Sequence, residues 1–237
     1  MSTEFVGCGI SGIGTGDRYL HGYLRNALVR AAAELIREGG SLDFTLAEAS
    51  RRAGVSNAAP YRHFRDRDDL LRAVGDLGFL ELTRRAQHAA ANHSRGSAGR
   101  IIELGKTYIQ FVTEHLAFYD LMWGDKSRQE FATEEAKQAS GFFVLVDAVE
   151  AWCEEHTLEH QDALVLAVKI WGMAHGLAGL SMNRNIERFL ADVDVYGLYE
   201  SSVKTFLEGL LHSRTEDQAP SPPPSPSGKS RPGRSIS

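Results

Sequence analysis

The 237-residue sequence predicts an all-α protein. Three observations carry that prediction. Between residues 22 and 212 apolar side chains recur at spacings of three and four, and no stretch alternates apolar with polar as a half-buried strand would. Side chains able to cap helices stand just before several of these runs. Of seven prolines only Pro60 falls inside this stretch, the other six lying between Pro220 and Pro232. The 43% of hydrophobic residues suffices for a core and excludes global disorder.

Leu24, Leu28, Ala31 and Leu35 keep the helical period, and Gly39-Gly40 closes that first element. Thr45-Leu46-Ala47-Glu48 is a capping box, in which hydroxyl and carboxylate each satisfy an orphan amide. The helix it opens stops at Gly54. Ser56 is expected to cap a second short helix through about Phe64, and Asp66 with Asp69 a long one from Arg67 to about His93. Ser97 opens a run through Tyr108, Phe111, Val112 and Leu116. Ser127-Arg128-Gln129-Glu130 reads as another capping box, before a helix reaching about His156. Runs over 159–183 and 194–212 complete the set.

Four segments result: a flexible arm over 1–19, a three-helix unit over 20–66, a helical bundle over 67–212, and a disordered Pro/Ser-rich tail over 213–237. In the arm, Gly7-Cys8-Gly9-Ile10-Ser11-Gly12 matches the dinucleotide fingerprint in form, but it lacks the preceding strand that the fingerprint needs. The net charge of −5 divides unevenly. Residues 18–75 carry +3, all of the positive charge as arginine, and residues 76–212 carry −8. A basic unit on an acidic body is the asymmetry of an anion-binding module attached to something else.

The stretch 164–182 is apolar apart from Lys169 and His175. A lysine near the centre of a membrane span costs about 2.5–3.5 kcal/mol. Gly172, Gly176 and Gly179 instead permit close approach of another helix, so a buried or subunit-interface helix is expected and no membrane is called for. The N-terminus lacks the basic and apolar regions of a secretory signal, and the two cysteines form no framework, so a cytoplasmic setting is expected.

Thr45 to Phe64 has the layout of a helix-turn-helix, two short helices around Gly54-Val55-Ser56. In such a unit the start of the second helix enters the major groove. Ser56, Asn57 and Ala58 are short enough for close approach; Asn57 can pair with adenine, and alanine methyls can touch thymine methyls. Arg51, Arg52, Tyr61, Arg62, His63 and Arg67 surround this face as donors for phosphates, and the amides beside Thr45 add an anion site.

Phe44-Thr45-Leu46-Ala47-Glu48-Ala49, Ala53-Gly54-Val55-Ser56, Tyr61-Arg62-His63-Phe64 and Asp69-Leu70-Leu71 together resemble the DNA-binding domain of the TetR family of bacterial transcriptional regulators. The resemblance implies a homodimer binding a palindromic double-stranded operator, usually as a repressor. By position it assigns phosphates to Thr45, Arg52, Tyr61, His63 and Arg67, and bases to Ser56, Asn57 and Ala58. Arg67 stands where the family usually has lysine, and Pro60 where it has leucine or isoleucine. Trp171-Gly172-Met173-Ala174-His175-Gly176 resembles the Trp-His-Gly signature of one class of TetR-type C-terminal domains, which implies an effector-binding and dimerisation half.

Aromatic residues of the body suggest an apolar effector pocket formed by Tyr108, Phe111, Phe118, Met122, Trp123, Phe143, Trp171 and His175, with Tyr119, Phe142 and Met173 nearby. No cofactor is expected. The competing class is a helical enzyme, or a metal- or redox-responsive sensor using His156, His160, His175 or Cys153. No nucleophile elbow, HExxH or P-loop supports the enzyme, and Glu154 and Glu155 beside Cys153 disfavour its thiolate.

Overall fold

The computed structural model describes residues 15–124, 141–158 and 161–217, with side chains between 23 and 213. The Ser127–Glu130 capping box, His160, the glycine-rich segment around Cys8 and the proline-rich stretch lie outside the described residues. Within them every regular element is helical: α1 (Thr15–Gly39), α2 (Leu46–Ala53), a 3-10 turn (Pro60–Arg62), α3 (Arg67–Ala91), α4 (Ala98–Glu114), α5 (Leu116–Trp123), α6 (Gly141–Glu155), α7 (Ala163–Met182) and α8 (Val195–Asp217). Residues 15–19 and 213–217 are helical, continuing α1 and α8. Extending an existing helix fixes one residue per hydrogen bond gained, which is far cheaper than starting one.

Local caps set most boundaries. The Asp69 amide donates to Asp66 Oδ1 at 2.7 Å, and the Arg100 amide to Ser97 Oγ at 3.2 Å. Asp162 opens α7 by accepting from the amides of Leu164 and Val165. One boundary departs from the periodic run expected through Leu116: the chain breaks at His115 (φ −132°, ψ 59°) and starts α5. Thr113 Oγ1 donates to the carbonyl of Ile109 in the last turn of α4, a local bond that bends helices. The His115 carbonyl then accepts from Phe118 and Tyr119.

Two apolar cores result. The first, in the N-terminal head, gathers Leu28 and Ile36 of α1, Phe44, Ala49 of α2, Phe64, and Leu70 and Val74 of α3. The second fills the body with Ile101, Tyr108 and Phe111 of α4, Trp152 of α6, Ile170 of α7 and Tyr199 of α8. α3 serves both, since Leu82, Ala86 and Ala90 in its second half belong to the body core. Its 25 residues make a rod of about 37 Å joining the two. α5 closes the junction, with Leu121 in the head core and the adjacent Met122 in the body core.

α7 is long and apolar enough by length and composition to cross a membrane. In this fold one face, with Leu166, Ala167, Ile170, Ala174 and Ala178, packs into the body. The opposite face leaves Leu164, Val165, Val168 and Leu180 exposed, and a Cβ added at Gly172, Gly176 or Gly179 would meet nothing within 4 Å.

Candidate nucleic-acid interface and internal cavity

The capping box forms as its spacing dictates. The Glu48 amide donates to Thr45 Oγ1 (3.2 Å), and the Thr45 amide donates to Glu48 Oε2 (2.7 Å). The Thr45 hydroxyl also donates to that carboxylate (2.8 Å), and these bonds hold the Glu48 carboxyl below its usual range. At the far end of α2, Gly54 lies in the left-handed region (φ 68°, ψ 30°). The amides of Gly54 and Val55 donate back to the carbonyls of Arg51 and Ser50, the paired closure that needs a glycine at this position.

The expected second helix does not form as an α-helix. Residues 57–59 make a turn, followed by the 3-10 turn at Pro60–Arg62. Pro60 has no N–H to offer the Ser56 carbonyl, which accepts from the Ala59 amide at 2.9 Å instead. Ala59 and Pro60 are buried, so the turn is pinned by its apolar side. Ser56, Asn57 and Ala58 project as an exposed row, with Tyr61 (67% exposed) and Arg62 beside them.

The arginines divide into two groups. Arg52 is forked onto Glu38 at 2.8 and 2.5 Å, tying α2 to α1. Arg67 donates from Nε to the Phe44 carbonyl at 2.9 Å and from Nη2 to the Leu42 carbonyl, with its guanidinium 5.2 Å from the Phe44 ring centroid. It clamps the loop that leads into Thr45. Arg51 and Arg62 are exposed and form no ion pair among the described residues. Thr45 and Tyr61 are exposed, while His63 and Arg67 are half-buried.

The aromatic residues expected to form one pocket separate into several environments. A cavity of about 70 Å³ lies inside the body, lined by Tyr108, Trp123 and Trp171 of the expected set, and by Phe79, Phe142, Gly105 and Tyr199 among others. Phe142 takes the place expected for Phe143, whose ring packs 5.8 Å from it. Phe111 and Phe118 instead line a more open cleft of about 380 Å³ at the junction of head and body, with Arg30, Arg37, Glu81 and Arg85. Met122 is buried against α3, where a Cβ at Gly78 would lie 3.1 Å from its sulfur.

His175 stands behind the inner cavity, between two tyrosines: Nδ1 lies 2.7 Å from Tyr108 Oη and Nε2 lies 3.1 Å from Tyr119 Oη. Burial pushes the imidazole below its ordinary pKa and both phenols above theirs. A neutral imidazole has one donor and one acceptor, so one tyrosine donates to it and the other accepts from it. The Trp171 ring, one turn before His175, packs 5.1 Å from the Trp123 ring. His156 stacks on Trp152 at 4.6 Å with Nδ1 2.8 Å from that residue's carbonyl, and Cys153 is buried. Among the described residues no group of three His, Cys, Asp or Glu side chains could hold a metal ion.

Residues 28–74 match the family model described as bacterial regulatory proteins of the tetR family, and residues 101–206 match a tetracyclin repressor-like C-terminal domain. The HTH-type transcriptional regulator BetI of Rhizobium meliloti is 32% identical over 108 residues, which is 45% of this chain and 53% of that protein. An uncharacterized HTH-type transcriptional regulator of Haemophilus influenzae is 30% identical over 125 residues, 50% of this chain and 58% of that one. The chain thus spans little more than half the length of these curated relatives. A solved structure of a protein of unknown function from Rhodococcus sp. RHA1 superposes with a TM-score of 0.65 at 28% identity, over 79% of this chain and 95% of that chain.

Proposed function

Given that the chain belongs to the TetR family of bacterial regulatory proteins, we propose that it is a ligand-responsive transcriptional repressor of the bacterial cytoplasm that binds a palindromic operator as a homodimer. The observation that carries this reading is the exposed row Ser56, Asn57 and Ala58, held by a buried Pro60 and flanked by exposed Tyr61 and Arg62. These three residues read bases, and Thr45, Arg52, Tyr61, His63 and Arg67 lie along the phosphates, joined by Arg51 and Arg62, which have no ion pair among the described residues to give up. Arg52 and Arg67 contact phosphate only by sharing or exchanging their internal partners.

Dimerisation uses the outer face of α7 with α8. Val165, Val168, Gly172 and Gly176 follow one exposed helical stripe that ends at the half-buried Gly179 and carries one charge, Lys169, and a second copy covers its apolar area, which monomeric proteins seldom leave open. The two-fold axis then sets two recognition segments about 34–36 Å apart on the operator. An effector in the body acts through α3, whose ends lie in the two cores. It releases DNA only by binding better to the body state that misplaces the recognition segments.

Selection of genomic fragments by the purified full chain, followed by footprinting, tests this reading. It expects a two-fold symmetric site, relaxed at one position per half-site in Asn57→Ala. An unchanged sequence preference in that variant removes Asn57 from base readout, and failure to select any sequence removes the function.

A further inference from the structure

The body cavity carries a specific polar deficit. Tyr199 is fully buried, and among the described residues its hydroxyl has no hydrogen-bond partner; the indole N–H of Trp123 is likewise buried and unpaired. Both side chains line the same cavity. Buried donors are almost always satisfied, because leaving one unmade forfeits the full cost of desolvating it. The wall holds two further polar side chains: Tyr108, whose hydroxyl already has His175, and Trp171, whose indole N–H is turned to Tyr108. The Tyr199 hydroxyl is accommodated by design of the chain: a Cβ at Gly105 would lie 1.9 Å from it.

From this we infer that the cavity binds a small, flat, uncharged molecule whose carbonyl-type oxygen accepts hydrogen bonds from Tyr199 Oη–H and Trp123 Nε1–H. The inference rests on the effector reading above and gives that effector a chemical class: ketone, ester or amide in preference to acid or amine. An indole can only donate, so the complementary ligand atom is an acceptor. The faces of Phe79, Phe142 and Trp171 supply apolar flat walls. None of the described lining residues is charged, so a carboxylate or ammonium entering here is stripped of water without a counter-charge.

The test uses three probes matched in size on the full-length protein: cyclobutanone, methylenecyclobutane, which replaces the oxygen by CH₂, and propanoate. Binding is followed by calorimetry and by the indole N–H resonances, the Trp123 signal being identified by its loss in Trp123→Phe. Cyclobutanone is expected to move the Trp123 signal and to bind about tenfold tighter than either comparison probe. Tyr199→Phe is expected to weaken the ketone about three- to tenfold with no loss of melting temperature, since the deleted hydroxyl has no partner to lose. Equal binding of the hydrocarbon, tighter binding of propanoate, an unmoved Trp123 signal, or unchanged ketone affinity in Tyr199→Phe each overturns the inference. Operator affinity at saturating ketone is read separately. If the ketone binds as stated and that affinity does not change, the ligand class stands and the regulatory reading fails.

Discussion

At the Thr45 corner of the head, hydroxyl, carboxylate and two amides pair with one another within four residues of chain, whereas in the body Tyr199 and Trp123 bury donors that nothing in the described structure accepts. The two regions thus handle polarity in opposite ways. The Thr45 corner closes its own hydrogen bonds, and Ser56 to Ala58 stand exposed beyond it. The body keeps a wall unfinished. Under the proposed function, the exposed row and the incomplete cavity are joined by one helix, α3, through which the second changes the first. Unmet donors bias the body toward whatever occupant completes it, and the bias is transmitted only if α3 moves as a unit.

The sharpest way to break this contrast is Gly105→Ala. The added methyl meets the Tyr199 phenol at 1.9–2.4 Å, and that ring has no solvent to retreat into. A destabilisation of about 3 kcal/mol is expected, with loss of probe binding, measured by chemical denaturation and calorimetry. Retention of both stability and binding would show that the Tyr199 hydroxyl is not confined there. In the head, Arg67→Ala removes two charge-assisted bonds to carbonyls, costing about 2 kcal/mol. Arg67→Lys sharpens the point: it keeps the charge and loses the fork. Stability lost with the salt dependence of DNA binding intact marks Arg67 as a loop clamp; the converse marks a phosphate contact.

Smaller effects follow. Thr45→Ala is expected to cost about 1 kcal/mol in denaturant melts, the worth of an N-cap. Arg62→Ala is expected to leave stability unchanged while lowering the salt slope of DNA binding by about one, because its guanidinium forms no internal ion pair among the described residues. The last test concerns pH. Burial holds His175 below its ordinary pKa, so the unfolded chain takes up this proton more readily than the folded one. Stability from this residue is full above about pH 6.5 and declines as pH falls from there toward the folded pKa. Melting temperatures across that window are expected to fall less steeply in His175→Asn, and equal slopes would detach the effect from His175.

The caps at Thr45, Asp66 and Ser97 were legible because each bond spans three residues, so type and spacing suffice. The same holds for Gly54, whose left-handed backbone follows from its place after Ala53. The second helix of the head failed locally too: the missing N–H of Pro60 was visible, but its effect, a 3-10 turn in place of an α-helix, depended on burying Ala59 and Pro60. The break at His115 carried no glycine or proline to announce it.

The cavity was legible as composition and not as geometry. Aromatic residues clustered in the body, yet the fold sent Phe111 and Phe118 to the junction cleft, Met122 to the core, and turned Phe142 inward where Phe143 was expected. A shift of one residue rotates a side chain by about 100° around a helix, and which of two neighbouring phenylalanines faces inward is set by the opposing helices. Tyr199 and Gly105 are apart in sequence by most of the body, so neither could be assigned to a site from its neighbours.

By itself the sequence determined the helical class, the turn at Gly54 and the basic bias of residues 18–75, because propensity, capping and charge act over a few residues. Only the tertiary structure decided that Arg67 holds the carbonyls of Leu42 and Phe44 and that Tyr199 and Trp123 share a cavity. Those facts depend on groups 23 or more residues apart being brought into contact, and such contacts are fixed by how whole helices pack.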